Sequence, residues 1–193
     1  MPDPSECGVE PRPLSFFEQL IASPPAASTP PADPADLRFS EPGDEPLPWT
    51  LPAGVPADPA LVKAATATLR EAEACLNAND PLRFLALFTD DMVRTFFAMD
   101  PLTREVLAFF TATPEASPPD QWLGIFSVLD ARMLPDGRIA ILADTWDPSQ
   151  PPFGRGVDFA ILAQVGDRWL IDGLIEHVVI VDGGTPTAGT PTP

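Results

Sequence analysis

Tyrosine is absent from this chain of 193 residues, histidine occurs once, cysteine twice, and lysine plus arginine total 11 against 28 acidic residues. Each shortage removes a class of chemistry. A net charge of −17 repels a phosphate backbone, so no nucleic-acid partner is expected, and it opposes docking on an anionic bilayer. No apolar run approaches the roughly 18 residues that a membrane span requires. Zinc wants three or four His, Cys or carboxylate ligands. One histidine, with Cys7 and Cys75 far apart, gives no compact spacing, and no metal is expected. No Gly-rich phosphate loop opens a helix, since "VDGGT" leads into a Pro-rich tail. A serine triad lacks its nucleophile-elbow motif, and no cofactor is expected.

Proline is plentiful instead: 15 of 27 fall in residues 1–60. Stretches such as "SPPAASTPPADPAD" leave little room for helix interior or paired strand. Residues 1–57 therefore read as an extended leader or strap, which the apolar patch "LSFFEQLI" and Trp49 would dock in part on the rest of the chain. Residues 183–193 read as a flexible Thr/Pro/Gly tail.

Between them, residues 58–182 carry the pattern of one domain. Asp58 and Pro59 form a favourable helix start, and Val62, Ala65, Leu69, Ala72 and Leu76 recur at helical spacing, which predicts a helix over 59–78. Asn79 can take the left-handed conformation that closes it. Asp80-Pro81 and Asp100-Pro101 repeat the start, predicting helices over 81–88 and 101–112. Asp90 and Asp91 follow the second as capping, solvated acids. Beyond residue 121 the period becomes two, and turns at Pro135-Asp136-Gly137 and Gly166-Asp167 divide the segment into two hairpins of a four-stranded meander. Helices followed by strands argue for α+β, with helices on one face of a curved antiparallel sheet.

The long helix ending in "NANDP", the short one running into "LFTDD" and a sheet finishing on "VGDRWLIDGLIEHV" resemble the NTF2-like superfamily, and its SnoaL-like branch in particular. The resemblance implies a cone-shaped barrel: a bent sheet around a helix, enclosing a pocket and often dimeric through the sheet's outer face. The superfamily includes isomerases, cyclases, dehydratases, epoxide hydrolases and non-enzymatic binding domains, so fold does not settle function. Ketosteroid-type isomerisation needs a tyrosine and scytalone-type dehydration two histidines, and this chain supplies neither. Asp130 and Arg132 sit two apart on one strand, in an order reversed from the limonene-type epoxide hydrolases.

Strand alternation puts Ile139, Ile141, Ala143 and Thr145, then Phe159 and Ile161, then Trp169, Ile171 and His177 on one apolar face. A bulge would invert the phase beyond it. The expected ligand pocket is thus Phe159, Ile161, Ile141, Thr145, Trp169, Ile171 and His177, with Asp147 at its mouth. The expected function is non-catalytic binding of a small apolar ligand or a protein partner. The alternative is an isomerase, cyclase or epoxide hydrolase using His177 with Asp147, or Asp130 with Arg132. Leu142, Trp146, Ala160, Leu162, Leu170 and Leu174 would form an apolar outer patch suited to a homodimer or to coverage by the leader.

Cys7 and Cys75 allow a single intramolecular pairing. A disulfide between them would pin the leader and imply an oxidising compartment; two reduced thiols are the alternative. No signal peptide is recognisable in residues 1–20. "ECGVEPRPL" and the Thr-Pro tail loosely resemble exported bacterial segments, so an extracytoplasmic location reached by a removed signal is favoured over a cytoplasmic one.

Overall fold

A computed structural model describes residues 1–25, 47–49, 51–148, 154–176 and 178–180. The architecture is α+β. A helix α1 (Leu14–Ala22) and short strands β1 (Leu47–Trp49) and β2 (Val55–Pro56) precede the helices α2 (Pro59–Asn77), α3 (Pro81–Leu85), α4 (Asp90–Met99) and α5 (Arg104–Phe110). Strands β3 (Gly124–Met133), β4 (Ile139–Trp146), β5 (Arg155–Val165) and β6 (Arg168–Ile175) follow, and β7 (Val178–Ile180) pairs in parallel with β1. The main sheet is five-stranded and antiparallel in the order β2-β3-β4-β5-β6. It is one strand wider than the expected meander, because β2 adds to the edge at Arg132 and Met133. No helix among the described residues is long and apolar enough to cross a membrane.

The Asp58 carboxylate accepts from the Ala60 amide at 2.7 Å, with Pro59 at the first helical position. The buried stripe of α2 runs through Ala65, Thr68, Leu69, Ala72 and Cys75, so the helix is rotated slightly from the expected Val62-to-Leu76 line, and Leu76 stays 37% exposed. At its end Asn79 takes φ 55°. The Asn79 amide donates to the Leu76 carbonyl and the Asp80 amide to the Cys75 carbonyl, at 2.8 and 3.0 Å, the paired bonds of a left-handed helix stop. Asp80 then caps α3 by accepting from the Arg83 amide at 3.1 Å.

Three helical expectations need correction. The second helix stops at Leu85 because the backbone at Phe88 bridges β6 instead: Ile171 donates to the Leu87 carbonyl at 2.8 Å and Thr89 to the Ile171 carbonyl at 2.9 Å. Asp90 and Asp91 open α4 rather than follow a helix. Thr89 is the N-cap, and the acids sit in the first turn, where the helix dipole favours negative charge. The next helix starts at the Thr103 cap, not at Asp100-Pro101.

The N-terminal residues contain α1, although their prolines suggest little helix. Phe17 is fully buried among Phe97 and Phe110, with edge-to-face ring distances of 6.3 and 6.2 Å. Arg12 donates to the Leu85 carbonyl at 3.1 Å and the Phe88 carbonyl at 2.6 Å, and pairs with Asp90. Cys7 and Cys75 form a disulfide, S–S 2.04 Å. Residues 26–46 and the tail after Ile180 lie outside the described residues, as do the side chain of Trp49 and all of His177.

Both faces of the sheet are covered at β4, and this overturns part of the expected face assignment. In β4 every residue from Ile139 to Thr145 is buried, so alternation there carries no polarity signal. Ile139, Ile141 and Ala143 face the helices together with Ala160 and Leu162 of β5. Phe159 and Ile161 lie on the opposite face with Ala140, Leu142 and Ile175, in a second cluster joined by Leu134 and Val178. The proposed outer patch is therefore divided, since Ala160, Leu162 and Leu174 pack toward the helices and Leu142 away from them.

Candidate functional site

A bulge interrupts the regular alternation of β6, and it determines which side chains reach the site. Leu162 opposes Ile171 and Ile161 opposes Gly173, so β6 carries one extra residue at Asp172. Trp169 and Ile171 face the helices before it, and the phase then flips, bringing Leu174 and Glu176 to the same side. Asp172 is held outside the cavity by the Thr89 hydroxyl at 2.8 Å and Arg138 at 2.9 Å.

A cavity of about 50 Å³ lies between α2 and this side of the sheet, walled by Leu69, Phe84, Phe88, Ala143, Ile171 and Leu174 among others. Four carboxylates also line it: Glu73 from α2, Asp147 just past β4, Asp158 from β5 and Glu176 just past β6. Among the described residues, no lysine or arginine lines it. A second cavity of about 270 Å³ shares Leu76, Phe84, Phe88 and Glu176 with the first and continues between Leu85, Met92, Val93 and Phe96. Glu176 is its one charged wall residue among the described residues.

Burial pushes the Glu73 carboxyl up to about 8, reinforced by the charges of Asp158, Glu176 and Asp147. Part of Glu73 remains at the surface, but its Oε2 is fully enclosed and has no hydrogen-bond partner. Burial likewise raises Glu176 to about 7, helped by Asp158 and Asp147. At neutral pH the site therefore holds one largely protonated carboxyl and one near its midpoint, able to donate or accept a proton. Among the described residues, no group of three or more His, Cys, Asp or Glu is arranged to hold a metal ion.

Of the residues expected from sequence, Thr145, Ile171 and Asp147 line the carboxylate cavity. Ile141 and Trp169 belong to the core on the same side without lining it. Phe159 and Ile161 are on the far face, and His177 lies outside the described residues. Asp130 and Arg132 form an ion pair at 2.9 Å on the strand face opposite the cavity, beside Leu142 and Ala140. Glu73, Asp158 and Glu176 were missed. Glu73 had a readable signal, since Leu69, Ala72, Glu73 and Leu76 share an i, i+3, i+4, i+7 spacing. Asp158 and Glu176 depend on hairpin register and the β6 bulge, which leave no local trace.

No protein-family model and no curated protein matches this chain. A solved structure similar to it is that of an NTF-2 like protein of unknown function from Shewanella oneidensis MR-1, 12% identical with a TM-score of 0.40, covering 60% of this chain and 98% of that one.

Proposed function

We propose that residues 58–182 form an NTF2-like domain that binds a small hydrophobic molecule in the two adjoining cavities. One observation carries this reading: an apolar chamber of about 270 Å³ opens beside a small polar one that shares its walls. Protein interiors are otherwise close-packed, and an apolar hollow with a few convergent polar groups is the usual form of a ligand site. N-phenyl-1-naphthylamine, a neutral apolar fluorophore, should bind saturably with a blue-shifted emission. Leu76→Trp should abolish that binding, because Leu76 borders both chambers. Absence of saturable binding, or binding indifferent to this substitution, would refute the reading.

The raised carboxyls of Glu73 and Glu176 favour a second reading as a SnoaL-like isomerase, cyclase or hydrolase. Perturbed acids in apolar clefts are what proton-transfer catalysis requires. Glu176 would accept a proton and Glu73 donate one, with Asp147 and Thr145 as polar walls. Turnover in a panel of hydrophobic ketones and epoxides, lost in Glu176→Gln while fluorophore binding persists, would establish it.

For assembly we propose a homodimer through the sheet surface around Phe126 and Leu129, large apolar side chains left 49% and 52% exposed. The Cys7–Cys75 disulfide supports an oxidising, extracytoplasmic location.

A further inference from the structure

We propose that the groove between α2 and the edge strand β3 docks a short, extended, acidic segment of a partner protein. The groove holds about 620 Å³ and is walled by Val62, Lys63, Thr66 and Arg70 of α2 and by Val128 of β3. Among the described residues it shares no wall with either cavity, so the inference stands apart from the small-molecule reading.

Charge names the kind of partner. Against 28 acidic residues the chain has 11 basic ones, and seven arginines are paired with carboxylates. Lys63 and Arg70 are exposed, and neither has an ion pair among the described residues. The acids nearest to the groove walls in sequence are already engaged. Asp58 accepts from the Ala60 amide at 2.7 Å, Asp130 pairs with Arg132 at 2.9 Å, and Glu71 faces Arg168 at 3.7 Å. Two unpaired cations thus flank a groove whose other walls are largely apolar, and complementarity calls for carboxylates on the partner. The net charge of −17 repels a long polyanion, which limits the occupant to a segment with few acids.

The main chain of β3 gives that segment its form. From Ile125 to Asp130 the strand is paired with β4 alone among the described residues. On its other edge the Ala57 amide donates to the Ala131 carbonyl at 3.0 Å, and β2 takes only Arg132 and Met133. An open edge of this kind accepts an added strand. The bulges at Phe126 and Leu129 break it into short stretches, so edge pairing alone is weak and the α2 cations select the partner.

Spacing narrows the pattern further. Lys63 and Arg70 are seven positions apart on α2, about 10 Å along its axis. Acids four residues apart on one face of a strand stand about 13 Å from each other, a difference that long lysine and arginine side chains absorb. The side chain midway between the acids meets Val62 and Ala67. The recognised sequence is therefore an acid, an apolar residue two positions on, and a second acid two beyond that.

The test is calorimetric titration of the full, disulfide-bonded chain with the peptide acetyl-SETVTES-amide and its glutamine and lysine counterparts, SQTVTQS and SKTVTKS. The glutamate peptide should bind at least about tenfold more tightly than the glutamine one, with a preference that shrinks as salt rises, while the lysine peptide fails to bind. Lys63→Glu and Arg70→Glu should each erase that preference, and an unchanged melting temperature reports that the variants are folded. Strand addition has its own signature: N-methylation of one alternate set of peptide amides should abolish binding while methylation of the other set is tolerated. Equal binding of the glutamate and glutamine peptides, or a preference that survives both substitutions, would overturn the acidic assignment. Tolerance of both methylated sets would overturn the edge pairing. Failure of every peptide to bind would remove the docking site, and a self-associated chain that Lys63→Glu dissociates would give the groove to a second copy instead.

Discussion

Glu73 lies beside the buried stripe of α2 with one carboxyl oxygen enclosed at the cavity wall, and its folded-state affinity for a proton is far above that of a free glutamate. The sign of the consequence is definite. Below the unfolded value of 4.5 both states are protonated and Glu73 costs nothing; as pH rises toward about 8 the unfolded chain ionises while the folded one resists. Stability contributed by this group, and by Glu176 with its raised value of about 7, therefore falls across that window. Each unit of displacement corresponds to about 1.4 kcal/mol. Glu73→Gln should thus stabilise the protein by on the order of a few kcal/mol at pH 9 and by nearly nothing at pH 4. Thermal melts of both proteins across this range check it, and a parallel offset at all pH values would contradict it. Asp136 and Asp144, held low by Arg138 and Arg155, titrate below this window and do not mask it.

Asn77 shows the opposite case, a buried polar group with every role filled. Its amide nitrogen donates to the Pro2 and Leu123 carbonyls, each at 3.0 Å, and its side-chain oxygen accepts from the Leu123 amide at 2.8 Å. One residue thus joins the N-terminus, α2 and the approach to β3. Asn77→Leu should cost roughly 2–4 kcal/mol in chemical denaturation, because it strands backbone groups inside the protein. A loss under about half a kilocalorie, the usual range for surface changes, would show that water replaces the clamp.

At the scale of elements, β3 explains how irregularity carries information. It has register shifts at Phe126 and Leu129, so Ile125, Val128 and Ala131 reach the helix-facing core at a spacing of three rather than two. A strict alternation along "GIFSVLDARM" cannot find that face. The N-terminal segment makes a similar point. Proline content argues against helix there, yet α1 forms because Phe17 and Leu20 are buried on the domain, and packing outweighs propensity in most protein helices. Phe17→Ala should destabilise by about 3–5 kcal/mol in urea melts; a negligible loss would mean that α1 is an accessory. The 68-residue separation of Cys7 and Cys75 closes a loop worth about 4 kcal/mol in the chain-entropy account. Thiol titration of denatured, unreduced protein from its native compartment should find no free thiol.

For the whole molecule, sedimentation velocity should find a dimer that Phe126→Ser with Leu129→Ser converts to a folded monomer; a monomeric parent chain would end that proposal. What the sequence by itself determined is the set of devices written in short windows. These are the Asp-Pro starts of α2 and α3, the Asn79 stop, the helix-then-strand order and the strand-turn-strand rhythm of the sheet. Each depends on residues within a turn of one another, so local backbone chemistry is enough. Only the tertiary structure decided which face of the sheet met the helices. With β4 buried on both sides, polarity does not distinguish the faces, and a single inserted residue at Asp172 swings Glu176 from one to the other. The gathering of Glu73, Asp147, Asp158 and Glu176 in one cavity belongs to the same class. Their approach is set by strand register and helix docking across about a hundred residues, and it is burial, not any motif, that raises the carboxyls of Glu73 and Glu176.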